Sequence, residues 1–169
     1  LSLQLISNHS DLCVGLILES ANAGIADPQQ RKERKKIDTI RAQKIKHNFS
    51  QFLAHWKKLD LFKSPNQSNK TLLQQYHKIQ AEQSPPALAA SLKGFGTGSM
   101  SPLHDNLKNI ILPTLLIAGS ADKKYQHINQ YLSKQLPNAT FESIKAGHRV
   151  HLDNPDTLIK KLDDFIVHD

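Results

Sequence analysis

Cysteine is nearly absent. Cys13 is the only one in 169 residues, so no disulfide can close within the chain, and a reducing, cytoplasmic setting is the default. Cys13 lies beside an apolar run and reads as a buried structural thiol, not a nucleophile. Aromatic residues are scarce at 6%, and no basic stripe interleaved with aromatics occurs, which argues against a nucleic-acid partner. No apolar run approaches the length of a membrane span. The opening Leu1-Ser2-Leu3-Gln4-Leu5-Ile6 is apolar but short and lacks a basic flank, so it does not read as a signal peptide. No internal repeat or low-complexity segment is present. A strand-to-helix turn of the form G-x-S-x-G is also missing. Gly94-Phe95-Gly96-Thr97-Gly98-Ser99 comes nearest, but Ser99 follows a glycine directly, and no lysine stands where a phosphate loop needs one.

Acidic residues are outnumbered, 15 against 22 Lys and Arg, leaving a net charge of +7. Such an excess suits nucleic acid, an anionic membrane surface or an anionic small-molecule substrate alike. The apolar share of 38% and charged share of 22% fit one globular domain with a proper core.

Hydrophobic patterning gives strand–helix alternation. A short helix tail over 1–7 precedes a continuous apolar run at 14–19, which suits a buried parallel strand. Asp27-Pro28 places aspartate at N-cap and proline at N1 of a basic helix reaching His47, with Ile37, Ile40 and Ile45 as its apolar stripe. Ser50 is the expected cap of a further helix with Phe52, Leu53, Trp56 and Leu59 on one face. A polar loop over 64–70 and helices over 71–83 and 86–95 follow. A short helix at 103–110, a strand at 111–118, a helix at 125–136, a strand at 139–145 and a last helix at 155–167 complete the chain. In that last helix Leu158, Ile159, Leu162, Phe165 and Ile166 are expected to face in. Strand–helix–strand units imply a parallel sheet with right-handed crossovers. The helices at 27–98, inserted between the first two strands, have the placement of a lid over a site.

Two strand ends carry the candidate chemistry. Leu115-Leu116-Ile117-Ala118 runs into Gly119-Ser120-Ala121-Asp122, and the next strand runs into Ala146-Gly147-His148. Ligands bind at the C-terminal edge of open parallel sheets. There Asp122 can accept the Nδ1 hydrogen of His148, leaving Nε2 to take a proton from a serine hydroxyl. The plainer alternative is that Asp122 caps the following helix and His148 merely starts one. His148 and His151 are three apart, a metal-site spacing, but no third ligand is evident and no metal is expected. Arg34 and Asp38 form an i,i+4 pair that reads equally as a surface ion pair. Trp56, the single tryptophan, is either core or ligand contact.

Several segments resemble one family over essentially the whole chain. They are Leu16-Ile17-Leu18-Glu19-Ser20, Arg31 to Arg34 with Asp38, Phe52 with Trp56, and Gln83-Ser84-Pro85 running to Gly94-x-Gly96-Thr97-Gly98. Asp122 with Lys124, and Ala146-Gly147-His148-x-x-His151-Leu152 with Pro155, complete the set. The family is the menaquinone-pathway synthase of α/β-hydrolase fold, which forms 2-succinyl-6-hydroxy-2,4-cyclohexadiene-1-carboxylate by eliminating pyruvate. The resemblance implies an α/β fold: the C-terminal part of an α/β-hydrolase fold, with three parallel strands, flanking helices and a helical cap. Residues 1–169 would then be an incomplete α/β-hydrolase domain, with 27–98 as the cap between strands. It further implies Asp122 and His148 as acid and base, Arg34 and Trp56 as substrate contacts, no cofactor and no metal.

Two departures accompany the resemblance. An arginine of the family's cap aligns with Gln80, which cannot supply a charge. The family's serine elbow would end just before the helix that Leu1 begins, so the nucleophile half is expected to be missing and the chain inactive alone, with an unpaired edge on its first strand. The rival expectations are an ester or thioester hydrolase on the same scaffold, and a non-catalytic fragment binding anions through its basic helix.

Overall fold

A computed structural model describes residues 1–66 and 70–168. The sheet follows from the apolar runs. β1 (Leu16–Glu19), β2 (Thr114–Gly119) and β3 (Ala139–Ile144) lie in the order β1-β2-β3, all parallel. Leu16 pairs with Thr114 and Thr114 with Ala139, so the strands start together at one edge; at the other, Glu19 pairs with Ile117 while β2 and β3 run on to the Gly119–Ile144 pair.

β2 is the middle strand and is buried along its whole length, as a continuous apolar run requires when both faces are covered. Its side chains alternate between two cores. Leu116 packs with Leu3, Ile6, Leu16, Leu18, Leu107 and Leu132 on one face. Leu115 and Ile117 pack with Ile144, Ala146, Val150 and Leu158 on the other. The first face is covered by α1 (Ser2–Asn8) and α6 (Lys123–Gln135), the second by α7 (Val150–Asp153) and α8 (Pro155–His168). β1 is shorter than its apolar run: Val14 is 94% exposed and lies outside the strand. β2 likewise starts only at Thr114, after Pro113, whose missing N–H suits a strand start.

Between β1 and β2 the chain forms α2 (Pro28–His47), α3 (Phe49–Trp56), α4 (Lys70–Ala81) and α5 (Pro85–Phe95). Short 3₁₀ turns occur at Ser10–Leu12, Asp60–Phe62 and His104–Asn109; the last replaces the helix expected at 103–110. Of the polar loop expected over 64–70, residues 67–69 lie outside the described residues.

Capping explains most helix starts. Asp27 accepts from the Gln30 N–H at 2.6 Å with Pro28 at N1. Asn48, not Ser50, caps α3, accepting from the Gln51 N–H at 3.0 Å. Ser84 caps α5 with proline in its first turn. Asp27→Ala is expected to lower stability by about 1 kcal/mol, read as a shift in the chemical-denaturation midpoint with an unchanged slope.

Two expected apolar faces are corrected. On α2, Ile37 and Ile40 are about half exposed (46% and 51%), while Asp38, Ala42 and Ile45 form the buried line. Ala42 meets Ala89 of α5 there, and two alanines let the helices approach closely, turning the isoleucines outward. On α8, Leu158, Leu162 and Phe165 pack inward, whereas Ile159 and Ile166 are exposed. Leu158, Leu162 and Phe165 form the centre line of the buried face, and Ile159 and Ile166, each one position on, lie at its outer margin.

Candidate active site

The loops after β2 and β3 are locked together through their backbones. Ser120 N–H donates to the Ile144 carbonyl at 2.7 Å, and Ala121 N–H to the Ala146 carbonyl at 3.1 Å. Gly147 N–H donates to Asp153 Oδ2 at 2.7 Å, tying the turn to α7. This frame brings Asp122 and His148 together: His148 Nδ1 lies 2.6 Å from Asp122 Oδ2. The same aspartate caps α6, its Oδ1 accepting from the Tyr125 N–H at 3.2 Å. The two sequence alternatives for Asp122 are thus both realised, one oxygen for each. Its side chain is 8% exposed and that of His148 19%. A carboxylate against Nδ1 holds the proton on that nitrogen, so Nε2 keeps its lone pair.

Aromatic rings frame the imidazole. The Tyr125 ring centroid lies 4.7 Å from that of His148, and that of Phe62 6.4 Å. Trp56 stands 5.4 Å from Phe62 and 5.6 Å from Phe52. Arg149 places its guanidinium 4.8 Å from the Phe62 ring centre and 5.0 Å from that of Tyr76. A line of rings therefore runs from the α3 helix to the strand-end histidine.

Arg34 and Trp56 meet at a cavity of about 330 Å³, lined also by Arg41, Phe52, Gln80 and Gln83. Arg34 Nε lies 2.9 and 3.0 Å from the two Asp38 oxygens, and Arg41 Nη1 3.3 Å from Oδ1. Asp38 is 2% exposed, so this is no surface ion pair. A buried carboxylate with two cations orients both guanidinium groups. Arg34 meets Asp38 through Nε, so the pair does not use its terminal nitrogens. Arg41 also sits 5.5 Å over the Trp56 ring. Gln80 supplies no charge; its amide donates to the Tyr76 hydroxyl at 3.2 Å. The His77 pKa is lowered, by burial first, then by the charges of Lys57 and Arg149. A larger cavity, about 600 Å³, opens around Pro113, Asn138 and Phe165 at the opposite strand ends, away from the edge where parallel sheets bind ligands.

His151 does not join His148 in a metal site. Its Nδ1 contacts both Glu19 oxygens at 2.9 Å. Among the described residues, no group of three His, Cys, Asp or Glu could hold a metal ion. The Glu19 hydrogen bond raises the His151 pKa despite partial burial. A raised histidine pKa contributes stability fully present below the unfolded value of about 6.5 and lost as pH rises through the folded value. Glu19→Gln is therefore expected to flatten the dependence of Tm on pH across and just above that value; an unchanged slope would exclude the pair as its source.

Arg41, Phe62, Tyr125 and Arg149 did not emerge as site residues from sequence. Arg41 was legible, being seven residues after Arg34 and so on the same helix face. Phe62 and Tyr76 come from segments whose placement depends on tertiary packing.

Fold and strand-end pair define the class: this is an α/β-hydrolase-fold chain. MenH from S. aureus superposes with a TM-score of 0.88 at 32% identity, covering 90% of this chain and 58% of that one. An esterase from Exiguobacterium antarcticum superposes at 0.76, but with 17% identity shares the fold alone. In sequence, the chain is 33% identical over 153 residues to the putative 2-succinyl-6-hydroxy-2,4-cyclohexadiene-1-carboxylate synthase of Bacillus subtilis, covering 89% of this chain and 56% of that one. It is 26% identical to the synthase of Serratia proteamaculans, covering 91% and 58%. No protein-family profile matches. The chain belongs to the family of these synthases, and spans a little over half their length. No described helix is long and apolar enough to cross a membrane.

Proposed function

We propose that this chain supplies the acid, the base and the substrate cradle of a lyase that forms 2-succinyl-6-hydroxy-2,4-cyclohexadiene-1-carboxylate with loss of pyruvate, in menaquinone biosynthesis. The observation that carries the reading is the 2.6 Å contact of His148 Nδ1 with Asp122 Oδ2 at adjoining strand ends, in a chain whose relatives bear that synthase name. Asp122 fixes the tautomer and stabilises the imidazolium that forms. His148 Nε2 accepts the proton of the family's serine hydroxyl, and the serine oxygen removes the substrate proton. The C–O bond to the leaving group then breaks, and pyruvate departs as its enol. No acyl-enzyme is required. No serine elbow of the form G-x-S-x-G is among these 169 residues.

In this reading α2–α5 act as a cap, corresponding to residues 27–98. Arg34 holds a carboxylate of the anionic substrate, and Trp56 closes the apolar side of its cavity. Arg41 strengthens the field that attracts it. The setting is cytoplasmic, consistent with a lone unpaired cysteine.

The test joins the chain to the serine-bearing part of the Bacillus subtilis relative and follows pyruvate release. Release that depends on His148 supports the lyase; ester cleavage without pyruvate supports the hydrolase instead. Arg34→Gln in that protein is expected to raise KM about tenfold or more, the value of one charge-assisted hydrogen bond, with kcat little changed. An equal loss on an uncharged ester would contradict a carboxylate-binding role.

A further inference from the structure

Ser20 is the single non-glycine residue with positive φ among the described residues, at 45°. It follows the last residue of β1 directly. An L-residue is held in that region only where its surroundings compensate, and such positions gather at functional sites. The surroundings are explicit. Ser20 N–H donates to the Ile117 carbonyl at 2.8 Å, extending the β1–β2 ladder past the strand. Ser20 Oγ donates to the backbone carbonyl of His148 at 2.9 Å, across 128 positions of sequence.

The preceding residue makes a second tie to the same turn. Glu19 Oε1 accepts from the His151 backbone N–H at 3.3 Å, and both its oxygens contact His151 Nδ1. Residues 148 and 151 are thus both fastened to the C-terminal end of β1. Asp122 fixes the His148 ring from β2. The ring and the backbone of one residue are therefore anchored to different strands. That is the arrangement needed to hold an imidazole within a fraction of an ångström of a working geometry.

We infer that Ser20 is a positioning residue for His148: its left-handed backbone delivers a hydroxyl to the His148 carbonyl, with Glu19 as the second tie of the turn. The inference rests on His148 being the base. It adds an anchor on β1 to the acid on β2. A glycine would carry this backbone without strain but would leave the carbonyl untied.

The test uses the full chain and needs no substrate. Ser20→Ala removes the hydroxyl and keeps the strain; Ser20→Gly removes the hydroxyl and relieves it. The readouts are Tm and, by NMR, the exchange rate of the His148 Nδ1 proton with water and the titration midpoint of that ring. Expected are a lower Tm for alanine than for glycine, and in both variants an Nδ1 proton exchanging about tenfold faster, the factor set by one hydrogen bond. Should the alanine variant not fold, the glycine variant decides. Exchange and titration identical to the unaltered chain would overturn the inference whatever happens to Tm, because Ser20 would then be structural only. Failure to see the Nδ1 proton in the unaltered chain would overturn the reading of His148 as base, and this inference with it.

Discussion

Asp122→Asn is expected to lower turnover by about four orders of magnitude and to leave the fold standing. The reason lies in the two duties of its carboxylate. Oδ1 caps α6 through the Tyr125 N–H, and an asparagine oxygen performs that duty equally well. Oδ2 faces His148 Nδ1 at 2.6 Å. An amide NH₂ placed there donates, forcing the imidazole proton onto Nε2, where the lone pair is needed. The variant should melt near the parent temperature and release almost no pyruvate when the serine-bearing part is supplied. His148→Ala should lower turnover at least as far, since the base itself is then gone. Retained turnover in both would reject the assignment.

The largest effect on stability is expected from Gly119→Ala. Gly119 ends β2 where the two site loops cross. A β-carbon there would run into the carbonyl oxygens of Gly147 and Ala146 and lie 2.7 Å from the Ala146 carbonyl carbon. These are backbone atoms, and the Ala146 carbonyl already accepts from the Ala121 N–H, so no side chain can swing aside. The cost should reach about 3 kcal/mol, the upper part of the range for overpacking. Because the strain falls on the residues that carry His148, the Asp122–His148 contact should open as well. A denaturation midpoint unchanged by the substitution would mean that the loops after β2 and β3 do not pack as described. Gly94→Ala is the natural control, since nothing lies within 4 Å of its added carbon.

Much of this architecture was legible in the residues, and the reasons are local. Leu115-Leu116-Ile117-Ala118 could only be a buried strand, and Asp27-Pro28 could only begin a helix. Both features act over a few residues and need no partner to be recognised. The strand-end positions of Asp122 and His148 followed from the same signals, and their distance from topology. What escaped depends on packing. Ile37 and Ile40 gave an apolar stripe, but Ala42 against Ala89 decided which face of α2 turns inward. Asp38 read as a surface charge until the helices enclosed it with Arg34 and Arg41. Val150–Asp153 forms a helix too short for periodicity to reveal. Phe62 reaches His148 through a 3₁₀ turn that no pattern announces.

The resemblance and the geometry also divide the work. Relatives at 33% and 26% identity place the chain in its family. They do not say which atoms meet. The cavity at Arg34 and Trp56 shows how a basic protein can present guanidinium groups without their repelling one another: Asp38, buried beneath, compensates both.

The most direct measurement is the NMR spectrum of the unaltered chain with its histidine rings labelled. The account predicts a slowly exchanging proton on His148 Nδ1, shifted far downfield by the Asp122 carboxylate and abolished by Asp122→Asn. A His148 ring carrying its proton on Nε2, or exchanging as freely as an exposed histidine, would contradict it.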